Sequence, residues 1–514
     1  MKLTRRQALA AIGAPAILRR ARAANGLLEI APGPFQGTRE SLREWRIPAW
    51  YRDAKFGIWA HWGPQSQPEA GDWYARNMYI QGQAQYNYHV KTYGHPTKFG
   101  FKDVIPTWKA EKFDPEHLIG LYKKAGAKYF CTMGVHHDGF DLWKSVHQPR
   151  WNAVAIGPQK DIVGLWKKAT QKAGLRFAVS EHLAPSYHWF SPSHTSDKTG
   201  PLAGVPYDGA NPAFADLYHD LPADYPYGKQ VNDRQAPDPW KQHYFKRIKD
   251  LVDNYQPDLL YTDGDIFFEE YGLALVANLY NTSAKIHGGR VEAVYTSKLA
   301  SDCETGTCIL DWERGVAAGI PANPWQTDTS VGDWHYRRDD KYKTPKQVVD
   351  MLVDIVSRNG NLMLNFPLPG NGMLDDTELK LLDEITRWMA VNSEGIYATR
   401  PWKIFGDGPV ATAPASGRGT RFNEAGRRDL TVEEVRFTAK GSTLYAFVMG
   451  WPEREAVIKA LSTANSSAAF RVKHVELLGF KGKVNWTQDE RGLRVSLPPE
   501  KPCDHAVAFK LLGA

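Results

Sequence analysis

Cysteine is scarce. The 514 residues hold four, Cys131, Cys303, Cys308 and Cys503. None forms a C-x-x-C pair, and no His/Cys cluster has zinc-ligand spacing, which argues against a structural zinc module or a dithiol redox centre. Cys303 and Cys308 are near enough to bridge in an oxidising compartment, and two free thiols are an equal alternative. Long apolar runs are also lacking, so no segment is expected to span or stably insert in a bilayer. An excess of positive charge is lacking once the first residues are set aside. The whole chain carries +7. Six of its cations (Lys2, Arg5, Arg6, Arg19, Arg20, Arg22) lie in the first 24 residues, which hold no acid. The rest is almost neutral, which excludes a basic surface for nucleic acid.

What is present at the N-terminus is a basic start, a mild apolar run and Ala21-Arg22-Ala23, an A-x-A-like cleavage site. The Arg5-Arg6 pair resembles a twin-arginine signal. Residues 1–24 therefore read as a leader for export to the periplasm or medium. A short amphipathic helix at a soluble N-terminus is the alternative.

From about Lys55 to Asn365, short β-like runs alternate with helical patterns. The runs are 56–63, 127–137, 176–183, 258–265, 290–298, 308–315, 325–330 and 361–368. Helical stretches between them include 240–255, with Tyr244, Ile248, Leu251, Val252 and Tyr255 on one face, and 344–360. In the second, Thr344 can cap, Pro345 suits the first turn, Gln347 completes a capping box and Gly360 can end the helix. Eight strand–helix repeats predict an α/β fold, a (β/α)8-type barrel over residues 25–397. Helices look short or missing around the fifth to seventh strands. After residue 398 alternation replaces helical periodicity, and 398–514 reads as a small C-terminal antiparallel β-sandwich with a hairpin turn at Lys440-Gly441-Ser442.

Barrel chemistry sits at the C-terminal ends of strands. Five runs end in polar residues there: His61, His136-His137, Glu181-His182, Asp263 and Glu313. Two long insertions, 64–108 and 184–236, follow the first and third strands and are rich in aromatics, as suits the walls of a substrate cleft. Trp 18, Tyr 23 and Phe 21 are numerous, which fits stacking on sugar rings and equally fits a large core.

The segments AKFGIWAHWGPQSQPEAGDWYARNMY (54–79), HHDGFDLWKS (136–145), PDLLYTDGD (257–265), NGNLMLNFPL (359–368) and YATRPW (397–402) together resemble glycoside hydrolase family 29, the α-L-fucosidases. The resemblance runs from about residue 44 to the C-terminus. It implies a retaining exo-hydrolase acting on fucosylated glycans by double displacement, without metal or other cofactor.

Such an enzyme needs two carboxyl groups about 5–5.5 Å apart. Asp263 follows the apolar run Leu259-Leu260-Tyr261, with Gly264 leaving room beside it, and the resemblance makes it the nucleophile. Capping of the next helix is the structural alternative, and Asp265 competes for either role. Glu313 is the leading acid/base candidate, two β-units on. Glu304, Glu269 and Glu270 are its rivals, and a simple ion pair with Arg314 is its structural alternative. The resemblance further implies that His61, His136 and His137 contact sugar hydroxyls and that Trp73 lines the pocket. Two positions depart from the family. Ser180-Glu181-His182 stands where many members have a tyrosine, placing Glu181 or His182 toward the pocket, and Tyr261 stands where many have tryptophan. Both differences bear on the pocket walls and on aglycone preference. A retaining hydrolase for another sugar, such as a galactoside, and a non-catalytic carbohydrate-binding protein are the other readings. Oligomeric assembly is left open.

Overall fold

The computed structural model describes residues 28–222, 225–226, 235–303, 306–412, 422–466 and 468–513. The leader expected at 1–24 and the acid/base rival Glu304 lie outside the described residues.

Eight strands close into a parallel barrel in sequence order: β1 Phe56–Ala60, β2 Tyr129–Val135, β3 Arg176–Glu181, β4 Leu259–Thr262, β5 Val294–Ser297, β6 Ile309–Asp311, β7 Trp325–Ser330 and β8 Gly360–Asn365. β8 returns to β1 with Gly57 opposite Met363 and Ile58 opposite Leu364. The strands are buried almost throughout because the barrel lumen covers one face and the helices the other; most are rich in apolar residues, and β7 (Trp-Gln-Thr-Asp-Thr-Ser) buries polar ones. The outer helices include Pro115–Lys124, Ile162–Lys172, Asp238–Tyr255, Glu270–Ile286, Pro345–Ser357 and Asp376–Asn392. Among the described residues, only the four-residue helix Ala300–Cys303 lies between β5 and β6, and residues 312–324 between β6 and β7 form none. Cys303 and Cys308 form a disulfide that closes this short connection. No described helix is long and apolar enough to cross a membrane.

Helix Pro345–Ser357 starts on the expected capping box of Thr344 and Gln347. It does not end at Gly360. Asn359 takes the left-handed conformation (φ 70°) past the last turn, and Gly360 opens β8. A Cβ on Gly360 would lie 2.7 Å from the Trp325 ring, so glycine is needed there for packing.

The C-terminal part is a β-sandwich. β9 Arg400–Asp407, β10 Val435–Lys440, β11 Thr443–Val448, β13 Val472–Leu477 and β16 Val507–Gly513 form a sheet in the order β13-β16-β11-β10-β9. β12 Glu455–Ile458, β14 Trp486–Asp489 and β15 Gly492–Ser496 form the other. Their inner faces share a core that includes Phe437, Leu444, Ile458, Leu493 and Phe509. A buried charge cluster ties this sandwich to the barrel. Asp354, on helix Pro345–Ser357, accepts from Arg436 of β10 at 2.5 Å and from Arg358 at 3.2 Å, and Arg436 also binds Glu434 at 2.8 Å.

Candidate active site

Five side chains of the site come from the first residue beyond a barrel strand. His61 follows β1, His136 follows β2, His182 follows β3, Asp263 follows β4 and Lys298 follows β5. A strand end is fixed by the ladder behind it, and the next residue is released to project over the mouth. Glu313 lies two residues past β6.

Asp263 is held from both sides. Its Oδ1 lies 2.8 Å from Lys298 Nζ, and its Oδ2 lies 3.3 Å from both His137 Nε2 and His182 Nδ1. Its side chain keeps 24% exposure toward the cavity. Burial alone would raise its pKa, but the charges of Lys298 and His182 and the bonds from the two histidines outweigh that and hold it well below the usual carboxylate range. Gly264 makes the turn after it at φ 150°, where a Cβ would meet the Phe267 ring at 2.5 Å.

Glu313 is placed in the same cavity. Its Oε2 lies 2.6 Å from the same Lys298 Nζ. Burial pushes its carboxyl up, Lys298 pulls it down, and the neighbouring Asp328 and Asp263 push it up again, leaving it raised. The ion pair expected with Arg314 is not formed. Arg314 instead donates to the Gly332 carbonyl and lies 3.8 Å from Glu424. Of the rivals, Glu269 is 76% exposed and pairs with Arg39, and Glu270 is an exposed residue at the start of helix Glu270–Ile286.

Beneath the two carboxyls, Asp328 accepts from Tyr261 Oη at 2.9 Å and lies 3.6 Å from Lys298 Nζ. Asp311 accepts from Gln326 at 2.7 Å, and burial together with the neighbouring Asp328 pushes its carboxyl well above the usual carboxylate range.

The histidines form one cluster. His61 packs on His136 (ring centroids 4.9 Å), His182 (5.3 Å) and His335 (4.4 Å), and His136 packs on His137 (4.5 Å). Burial and the neighbouring rings hold His61 and His136 well below the ordinary imidazole range, so both are neutral hydrogen-bonding groups. His137 differs. Burial lowers it, but its bond to Asp263 raises it further, and its Nδ1 donates to the His182 carbonyl at 2.6 Å. His61, Asp72, His136 and His335 have ligand atoms within 4.8 Å of one another, a spacing compatible with a metal ion. The local bonds favour another use. Ala75 N–H donates to Gln65 Oε1, which turns Gln65 Nε2 toward His136 Nδ1 at 2.7 Å. That leaves the proton of His136 on Nε2, as a donor for hydroxyl oxygens.

Aromatic rings line the remaining surface. Trp59 contacts His61 (4.9 Å), Tyr261 (5.0 Å) and Trp334 (5.5 Å). Trp73 stands at the rim, 41% exposed, with its edge on His137 and Trp189. The two insertions brace each other behind it, through Tyr79 to Asp208 and Tyr86 to Asp197.

All eight residues read from the sequence, Asp263, Glu313, His61, Trp73, His136, His137, His182 and Tyr261, lie at or beside this cavity. Glu181 does not face it. Its carboxylate accepts from Tyr244, Thr262 and the Leu183 N–H, between the barrel and helix Asp238–Tyr255. Sequence reasoning missed Lys298, although it is the last residue of the fifth run. It also missed Asp328, Trp334, His335 and Asp72, which pairs with His335 at 2.6 Å.

Comparison with known proteins identifies the family of the chain. The α-L-fucosidase family model matches residues 23–394, and the model of the α-L-fucosidase C-terminal domain matches 427–512. Tissue α-L-fucosidase of Rattus norvegicus is 27% identical over 487 residues, covering 92% of this chain and 90% of the relative. The Homo sapiens tissue enzyme is 27% identical over 491 residues, covering 92% and 91%. Among solved structures, Thermotoga maritima α-fucosidase superposes with a TM-score of 0.69 at 25% identity, covering 93% of this chain and all of that one, and it has also been solved in complex with fucose. The chain belongs to the α-L-fucosidase family of glycoside hydrolases.

Proposed function

We propose that this enzyme hydrolyses terminal α-L-fucosyl residues of glycans with net retention, by double displacement through Asp263 and Glu313. The observation that carries this reading is the shared ammonium. Contacts of 2.8 and 2.6 Å to one Nζ keep the nearer oxygens of Asp263 and Glu313 no more than about 5.4 Å apart, which suits the close spacing of a retaining pair and is too short for an inverting one.

The opposite pKa shifts support the division of roles. Asp263, kept ionised, attacks the anomeric carbon. Glu313, whose carboxyl is pushed up by burial and by its acidic neighbours, gives its proton to the leaving oxygen. Water then attacks the fucosyl–Asp263 ester while Glu313 takes the proton back. His61 and His136 offer uncharged ring N–H donors to the sugar hydroxyls, and Trp59, Tyr261 and Trp334 offer the apolar wall. Proton NMR on the hydrolysis of an aryl α-L-fucoside tests the reading. The α-anomer of fucose should form first, and the β-anomer first would overturn it. His182 and Tyr261 touch the same pocket wall, so the corresponding galactoside belongs in the same assay, where faster turnover would reassign the sugar.

We also propose that the enzyme is exported by the twin-arginine route and cleaved near Ala23 or Ala24. A mature protein that still began at Met1 would contradict this.

A further inference from the structure

The stretch joining β9 to β10 belongs to the C-terminal part of the chain, yet Phe422, Asn423 and Glu424 are bonded to the barrel beside Glu313. Phe422 N–H donates to the Glu313 carbonyl at 2.9 Å, and Glu424 N–H donates to the Arg314 carbonyl at 2.9 Å. Asn423 accepts from Val316 N–H and donates to the Val316 carbonyl, both at 3.1 Å. The Glu424 carboxylate accepts from Thr329 at 2.6 Å and meets Lys343 at 2.5 Å.

These bonds fix Phe422 in two unfavourable conditions. Its backbone is left-handed (φ 53°), a conformation that phenylalanine rarely adopts. Its side chain is 58% exposed, the second most exposed large hydrophobic side chain among the described residues. Strained backbone persists where the surroundings over-determine it, and it concentrates at binding sites.

Location gives the ligand class. Resting on the reading of Glu313 as acid/base, the leaving oxygen must lie at the Glu313 carboxyl, and the stretch bonded to the Glu313 main chain is the part of the C-terminal region next to the departing group. A pyranose presents one face of C–H bonds whose positive edge suits the negative face of an aromatic ring. We propose that Phe422, supplied by the C-terminal part of the chain, is the platform for the hexopyranose to which the fucosyl residue is attached. The C-terminal part is then a specificity element of the barrel active site as well as a packing partner.

The test compares two substrates with one fucosyl group: a fucosyl-hexose disaccharide, and α-L-fucosyl fluoride, which has no sugar to stack. For Phe422→Ala, the ratio of kcat/KM on the disaccharide to kcat/KM on the fluoride should fall about tenfold, as expected for loss of one aromatic contact. Phe422→Trp should restore most of it. An unchanged ratio would overturn the proposal. An equal fall on both substrates would overturn it too, because Phe422 would then act only by holding Glu313. Glu313→Gln, measured on the same pair, separates the two readings. If it is slow on the disaccharide and the Phe422→Ala ratio is flat, only the platform fails. If it hydrolyses the disaccharide at the wild-type rate, the acid/base reading fails and the placement of Phe422 fails with it.

Discussion

Lys298 Nζ contacts Glu313 Oε2 at 2.6 Å while it also holds Asp263 Oδ1 at 2.8 Å. One buried ammonium therefore acts on both carboxyls. It favours the charged form of each, and burial together with the surrounding carboxylates decides that only Asp263 stays well below its ordinary range.

Replacing this ammonium should move both limbs of the pH profile in one direction. Without the positive charge the pKa of Asp263 rises, so the acid limb of kcat/KM moves to higher pH. The pKa of Glu313 also rises, so the alkaline limb moves to higher pH as well. Lys298→Met should show this upward displacement, together with a loss of about 10²-fold at the optimum, typical of removing one electrostatic contributor. A profile that stayed in place or moved to lower pH would contradict the role given to Lys298.

Glu313→Ala should be slowed most on poor leaving groups, because an activated aryl fucoside needs little protonation as it departs. A Brønsted plot over aryl fucosides of graded acidity should become steeper in the variant. Equal loss across the series would remove Glu313 from the acid role.

The tie between barrel and sandwich is a stability device. Asp354 is buried with Arg358 and Arg436. Burial would raise its pKa, but the two guanidiniums outweigh that and depress it. A depressed folded-state pKa gives stability that is present above the unfolded carboxylate value and is lost as pH falls toward the folded one. Asp354→Ala leaves Arg358 buried without its carboxylate and Arg436 with Glu434 alone, and should cost about 3–5 kcal/mol in urea unfolding at neutral pH. A loss under about 1 kcal/mol would show that the cluster is solvated in solution.

Most barrel strands were legible because buried parallel strands are near-continuous apolar runs; β7, Trp-Gln-Thr-Asp-Thr-Ser, is polar and was legible only from its place in the strand–helix order. Their C-terminal limits were overestimated. His61, Asp263 and Lys298 continue the run in sequence but leave the ladder to build the site. In the sandwich, β9, β12 and β14 are edge strands, the hardest kind to read from sequence. Edge strands are partly exposed; β12 and β14 have four residues each, and β14 reads Trp-Thr-Gln-Asp, without alternation of clear sense. The site was legible where a polar residue ended an apolar run. Asp72, Asp328 and His335 were hidden because their meaning lies in contacts between distant segments, such as the Asp72–His335 pair, 263 residues apart. Lys298 was hidden because a lysine at the end of a run reads as a solvated charge, and only the closed barrel shows it 3% exposed among carboxylates.

The central claim is that Asp263 becomes covalently attached to the sugar. The direct measurement is peptide mass mapping after incubation with 2-deoxy-2-fluoro-α-L-fucosyl fluoride, whose electron-withdrawing substituent slows hydrolysis of the ester more than its formation. The account predicts a stoichiometric 2-fluorofucosyl adduct on the peptide carrying Asp263, absent in Asp263→Ala. An adduct on another residue, or turnover with inverted product and no adduct, would contradict it.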